Sequence, residues 1–195
     1  SFTGSTSTGG ADPAAWKPVL VKRDELRRET ERLLDEARPE SGLRTASIVH
    51  PQATDGVPSF TPVTEITLNV LKPGEQTSVR RGNYSLLETG VSGSGTVHAG
   101  PAMSVTTHDV WTVTSMQPYY HENTGSEPWV WLSYSNSALL RRTGAYWADD
   151  NMQPEAAENG KAVSADLETR YNRSTAPIHE LPSTGAELRA YEYLT

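Results

Sequence analysis

The hydrophobic pattern changes to a period of two at Glu65, and this change constrains the fold more than any other feature of the sequence. Over residues 65–71 aliphatic and polar side chains alternate until the turn signal at Pro73-Gly74. Similar short segments follow at residues 84–91, 95–98, 103–107, 110–114 and 129–134, separated by breaks that contain Gly, Pro or Asn. Such close and regular spacing predicts an antiparallel β-sandwich or β-barrel.

A helical pattern precedes these strands. Residues 21–37 place Leu26, Leu33, Leu34 and Ala37 on one stripe, with Arg and Glu interleaved elsewhere. This arrangement predicts an amphipathic helix. We interpret its charged side as a solvated face with helical ion pairs, while a partner surface remains the alternative.

The ends of the chain differ from the middle in composition. Residues 1–15 are mainly small and polar, which predicts a flexible arm, and residues 16–60 form an N-terminal helical and extended region. The barrel is predicted at residues 61–148. Residues 149–195 predict a weak C-terminal helix and an extended tail, and this tail is compatible with a second domain after Thr195.

Charge and composition exclude several classes of function. The formal net charge is −7 and no Lys/Arg-rich stripe occurs outside the predicted helix, so we expect no nucleic-acid partner. A long apolar run and a signal-peptide pattern are both missing, which predicts a soluble, cytoplasmic protein without a membrane partner. Because the chain has no cysteine, disulfides, thiolate nucleophiles and cysteine-bound metals are excluded.

Two sequence frames carry a family resemblance. The first consists of Pro73-Gly74-Glu75, residues 80–87 and a Gly-x-Gly at residues 93–95, and the second of His108-Asp109, residues 118–123 and residues 127–132. Over roughly residues 16–147 the chain resembles the N-terminal cupin of gentisate 1,2-dioxygenases and their salicylate and hydroxynaphthoate relatives. The resemblance implies an all-β fold, a single antiparallel cupin (jelly-roll) barrel with an N-terminal amphipathic helix and C-terminal helical or extended segments.

The metal-binding positions of that family carry other residues in this chain. The family binds iron with a His-x-His motif and one further histidine, and these positions fall on Arg80, Gly82 and Tyr119. Arginine offers no lone pair, glycine has no side chain, and tyrosinate would be a lone anionic oxygen ligand. We therefore expect no metal and no other cofactor, with a rearranged site on His108 and His121 as the alternative.

The resemblance also indicates which side chains face a pocket. Strand alternation sends every second side chain inward. The predicted ligand-binding residues are Asn69, Tyr84, Glu88, Trp131 and Ser133. Asn69, Glu88 and Ser133 stand where the family carries substrate-handling residues of other types, so we do not expect gentisate to be the substrate.

The predicted catalytic residues are Arg80, Tyr119 and His121. Arg80 is either a carboxylate anchor or one half of a salt bridge to Glu88 or Glu122 that fills the pocket. Tyr119 and His121 supply a phenol donor and a titratable base, whereas alternation turns Tyr120 to the opposite face. Alternation likewise places Trp129 and Trp131 on one common face.

The leading functional hypothesis is a metal-independent cupin, forming a homodimer or higher homo-oligomer, that binds a small aromatic or conjugated carboxylate. It would catalyse non-oxidative acid–base chemistry such as cyclisation, isomerisation or a lyase step in a specialised pathway. One alternative is a non-catalytic binding or structural half of a two-barrel protein. Another is an Fe(II)-dependent ring-cleaving dioxygenase with an atypical metal site.

The residues at the three family metal positions generate a first prediction. Anaerobic titration calorimetry of the chain with Fe(II) should give only weak, non-saturating heats, because Arg80, Gly82 and Tyr119 supply no imidazole. A saturable one-to-one site of micromolar affinity would show that the metal is held elsewhere or that the alignment is wrong.

Overall fold

The computed structural model describes residues 16–152. The predicted N-terminal arm and nearly all of the predicted C-terminal helix and tail lie outside the described residues. The elements are α1 (Arg23–Asp35), β1 (Arg44–Ser47), β2 (Glu65–Leu71), β3 (Val79–Gly82), β4 (Leu86–Ser92), β5 (Ser94–His98), β6 (Ala102–Thr106), β7 (Val110–Val113), β8 (Tyr120–Glu122), β9 (Trp129–Ser135), α2 (Ser137–Arg142) and β10 (Ala148–Met152). Neither helix in this part of the chain combines the length and the apolar character needed to cross a membrane.

All strand pairs are antiparallel, as the period-two pattern predicts. A five-stranded sheet has the order β1-β2-β9-β4-β7, a three-stranded sheet the order β6-β5-β8, and β10 pairs with β3. Bridges between Arg80 and Tyr119 and between Gln76 and Glu122 connect the β3 segment to the β8 segment. β1 and β10, which flank residues 61–148, thus pair with strands of the barrel.

Large aromatic side chains fill the interior. Trp129 and Trp131 are fully buried, and their rings stack with centroids 4.5 Å apart. This confirms that the two tryptophans share one face. A Cβ atom at Gly95 would lie 2.2 Å from the Trp129 ring, so glycine at this position allows β5 to pass directly over the indole.

Helix α1 covers the outer face of the five-stranded sheet. Leu33 is completely buried against Leu68, Val70 and Val130. The opposite side of the helix carries intrahelical ion pairs, including Arg32 with Glu29 at 2.6 Å, which agrees with the solvated face predicted from sequence. The helix is two residues shorter at each end than the predicted range.

The burial of Leu33 predicts that α1 is an integral part of the fold. Leu33→Ala should lower the free energy of unfolding by about 2–5 kcal/mol, because it removes a buried side chain and leaves a cavity. Denaturant titration measures this change. The matched control Leu20→Ala concerns a side chain that is 78% exposed and should change stability by less than about 0.5 kcal/mol. Equal effects of the two variants would mean that α1 does not contribute to the folded barrel.

Candidate functional site

A cavity of about 290 Å³ lies inside the barrel, between the five-stranded sheet and the β3 and β8 segments. Its wall includes all the side chains predicted from sequence to form the site: Asn69, Arg80, Tyr84, Glu88, Tyr119, His121, Trp131 and Ser133. Strand alternation explains this convergence, because the residues on β2, β4 and β9 occupy alternate positions that face inward.

Glu88 forms the centre of the buried half of the site. Its side chain is 1% exposed, and both carboxylate oxygens are hydrogen bonded. Oε2 accepts from Trp111 Nε1 at 2.7 Å and lies 2.9 Å from His121 Nε2. Oε1 accepts from Trp131 Nε1 at 3.1 Å and from Ser133 Oγ at 2.5 Å. Trp111 and Trp131 are therefore both donors to a buried carboxylate.

These contacts keep Glu88 ionised. Burial by itself raises the pKa of the carboxyl group, but the charge of His121 and the hydrogen bonds from His121, Ser133 and Trp111 lower it, and the net direction is below the ordinary value. The group is thus a fixed negative charge in the barrel, in direct contact with the imidazole beside it.

Asn69 and Ser133 extend the network from Glu88 to β1. Asn69 Nδ2 donates to Ser133 Oγ at 2.8 Å and to Thr67 Oγ1 at 3.2 Å. Its Oδ1 accepts from Thr45 Oγ1 at 2.8 Å. In the sheet register Thr67 is opposite Ser133, and Ser133 is opposite Glu88, so adjacent strands place the polar groups in one row. Asn69 and Ser133 therefore support Glu88 as well as lining the cavity.

The opposite wall carries a cation and phenols. Arg80 and Tyr119 are direct neighbours across the strand bridge, and Arg80 Nε lies 3.2 Å from Asp150 Oδ1. Tyr119 is buried, and its hydroxyl lies 3.2 Å from that of Tyr84. The alternative in which Arg80 pairs with Glu88 or Glu122 is not observed, because Glu88 contacts His121 and Glu122 contacts His98 at 3.1 Å.

Arg80 and Tyr119 both retain their protons. Burial lowers the pKa of Arg80, but the neighbouring Tyr119 and Asp150 outweigh it and the net direction is upward. Burial raises the pKa of Tyr119 well above its ordinary value, the nearby Tyr84 adds to this, and Arg80 only partly opposes it. The cavity therefore presents a guanidinium and a neutral phenol donor.

The ring of Tyr84 fills the space above Gly82. A Cβ atom at Gly82 would lie 2.1 Å from Tyr84 Cε1, so a side chain at this position would require the ring to move. A metal centre of three imidazoles does not fit these positions, which hold Arg80, Gly82 and Tyr119, with the Tyr84 side chain against the last two. Residues 16–152 also contain no group of three or more His, Cys, Asp or Glu side chains placed to hold a metal ion.

The alternative pair His108 and His121 is not brought together. His121 is buried and lines the cavity, whereas His108 is exposed in the turn between β6 and β7, with a positive φ of 72°. Tyr120 lies on the face opposite to Tyr119, as predicted, and stacks on His98 with ring centroids 4.1 Å apart.

The cavity is also lined by three residues that the sequence patterns do not predict, Arg141, Tyr146 and Asp150. The Tyr146 ring stacks on Tyr84 with a 5.9 Å centroid separation, and the Arg141 guanidinium lies 3.6 Å from the Tyr146 centroid. These residues follow the last predicted strand, where no period marks α2 or β10. The sequence signal that could have indicated this part of the site is the basic pair at residues 141–142, close to Tyr146 and Trp147.

Comparison with known proteins identifies the class of fold. No protein-family model matches the chain, and no curated protein matches it. Among solved structures, the chain is similar to a mutant salicylate 1,2-dioxygenase from Pseudoaminobacter salicylatoxidans in complex with gentisate, with a TM-score of 0.59 and 16% identity over 68% of this chain and 37% of that chain. A structure of salicylate 1,2-dioxygenase from the same species gives a TM-score of 0.54 and 18% identity over 65% of this chain and 36% of the other.

These similarities confirm the predicted cupin barrel. The identities of 16% and 18% are low, so the likeness concerns the fold. The chain spans little more than a third of the length of the dioxygenase chains that it matches.

The position of the Tyr84 ring yields a prediction about the family metal positions. Arg80→His, Gly82→His and Tyr119→His together should not create a saturable Fe(II) site, because the Tyr84 ring occupies the space of the second imidazole. Adding Tyr84→Ala should produce one-to-one binding in anaerobic calorimetry, and Tyr84→Ala alone should bind no iron. A folded fourfold variant without affinity would show that the three positions do not converge.

Proposed function

We propose that this chain is a metal-independent cupin that binds a small aromatic or conjugated carboxylate and promotes non-oxidative acid–base chemistry. One observation carries the proposal: a protonated phenol, a guanidinium and a histidine–carboxylate pair line the same cavity. The rings of Tyr119 and His121 are neighbours with centroids 5.7 Å apart, so a donor and a base lie side by side on the cavity wall. The donor set supports chemistry that requires proton transfer and charge stabilisation.

We infer how a ligand carboxylate binds from the charged groups of the cavity that already have a buried partner. Glu88 is saturated by donors within the protein, whereas the partner of Arg80, Asp150, is 54% exposed. A ligand carboxylate can therefore displace Asp150 at the guanidinium at low cost and form a bidentate pair. A volume of about 290 Å³ corresponds to roughly ten water molecules, which suits a ligand with a single ring.

The proposed chemistry is proton transfer next to a carbonyl or conjugated group. His121 takes a proton from the ligand carbon, and the electron pair left behind moves onto the carbonyl oxygen. The Tyr119 phenol donates a hydrogen bond to that oxygen and stabilises the developing negative charge. Return of the proton to another carbon gives isomerisation, and loss of a leaving group gives a lyase step.

A second candidate function is a non-catalytic binding or structural barrel. It is favoured by Tyr84, because its ring occupies space in the centre of the barrel and its hydroxyl bonds to Tyr119. In that case the Arg80 and Tyr119 cluster would stabilise the barrel and bind no ligand. The two functions differ in the role of Arg80.

Replacing Arg80 tests the proposal. Arg80→Met should weaken binding of benzoate or cinnamate by about 1.5–3 kcal/mol, roughly 10- to 150-fold, because it removes a charge-assisted hydrogen bond. The Tm should change little, since the carboxylate left behind on Asp150 is half exposed. Calorimetry and thermal unfolding measure both effects.

The matched control is Arg28→Met on the exposed side of α1, which makes the same change of charge away from the cavity. It should leave carboxylate affinity unchanged. A large fall in Tm for Arg80→Met, with unaltered or undetectable carboxylate binding, would support the structural barrel and contradict the proposed function.

A further inference from the structure

Every lone-pair direction of the Glu88 carboxylate is used by a donor from the protein. A carboxylate offers about four such directions, and Glu88 meets Trp111, His121, Trp131 and Ser133. Because Trp111 and Trp131 can only donate and Ser133 Oγ donates to Oε1, the group behaves as an acceptor with no spare capacity. It can neither bind a ligand oxygen nor exchange a proton with a ligand, so its prediction as a ligand-binding residue does not describe its chemistry.

The same arrangement determines the protonation of His121. Glu88 is ionised and has no proton to donate, so the hydrogen between Glu88 Oε2 and His121 Nε2 must belong to the imidazole. In the neutral ring, Nε2 is then the N–H and Nδ1 carries the lone pair. The basic atom of the ring is therefore chosen by Glu88.

The neighbours of His121 hold the ring in one orientation. Trp131 stacks on it with centroids 4.8 Å apart and planes at 25°, and Tyr119 approaches edge-on at 87°. The backbone N–H of His121 donates to Thr77 Oγ1 at 3.1 Å. With the ring packed in this way and 3% exposed, exchange of Nδ1 and Nε2 by a ring flip is strongly disfavoured.

We propose that Glu88 is a positioning residue that fixes His121 as the Nε2–H tautomer and makes Nδ1 the base of the site. The inference rests on the proposed function for the use of that base, but the tautomer itself is a property of the free protein. Asn69 and Ser133 contribute indirectly, because their hydrogen bonds hold the second oxygen of Glu88.

A second histidine–carboxylate pair in the chain provides an internal control. His98 Nε2 lies 3.1 Å from Glu122 Oε2, but these side chains are 21% and 38% exposed. Solvent competes with this contact, whereas the contact between His121 and Glu88 is shielded.

The test is long-range ¹H–¹⁵N NMR of the histidine side chains, at a pH above the titration of the ring. His121→Gln assigns the resonances of His121. The unmodified chain should show His121 as a single Nε2–H tautomer. In Glu88→Gln one carboxylate oxygen becomes an amide NH₂ that faces N–H donors, so His121 should become a mixture of tautomers or switch to Nδ1–H.

The control variants separate positioning from folding. Glu122→Gln should alter the signals of His98 and leave His121 unchanged. Ser133→Ala removes one donor but keeps the carboxylate, so His121 should remain Nε2–H. This variant can be measured whether or not Glu88→Gln folds. An Nδ1–H tautomer or a mixture in the unmodified chain overturns the inference, as does a folded Glu88→Gln variant in which the tautomer is unchanged. Absence of benzoate and cinnamate binding would instead defeat the proposed function and leave the tautomer assignment standing.

Discussion

The interior of this barrel depends on a single buried negative charge. An uncompensated carboxylate in a protein interior costs several kcal/mol, so Glu88 requires its donors to be in place when the barrel closes. These donors come from β7 and β9 of the five-stranded sheet and from β8 of the three-stranded sheet. The charge of Glu88 is therefore hydrogen bonded only when these strands pair in the correct register. This requirement also fixes how the aromatic side chains pack around Glu88.

Two of the contacts between titratable groups at the cavity are separate from each other. Glu88 and His121 form a shielded pair within the barrel, while Arg80 and Asp150 form a pair that reaches solvent. Removing Asp150 from the guanidinium exposes a cation to a ligand without disturbing the buried pair. A site with this division can change its ligand at Arg80 and keep the buried pair of Glu88 and His121, which is useful in a fold that carries many different chemistries.

Periodicity predicted much of the fold and less of the site. The strands with clear alternation, such as β2 and β9, were found close to their observed ends, because a half-buried strand leaves a direct trace in sequence. The short strands β1 and β10 were missed, and only the family frame indicated β3 and β8, since three to five residues do not establish a period. Alternation and the family frame together identified which side chains face inward. They could not identify the partner of Arg80, because Asp150 reaches it only through the long-range pairing of β10 with β3.

The contact between Tyr84 and Gly82 has a consequence for the history of the barrel. A side chain introduced at position 82 meets the ring, and loss of the ring alone leaves a cavity that costs about 3–5 kcal/mol for a large aromatic residue. A side chain added at position 82 alone and loss of the ring at position 84 alone are therefore both unfavourable. The two positions are epistatic, so a lineage that has acquired this pair cannot easily return by gradual substitution to a barrel with a ligating side chain at position 82.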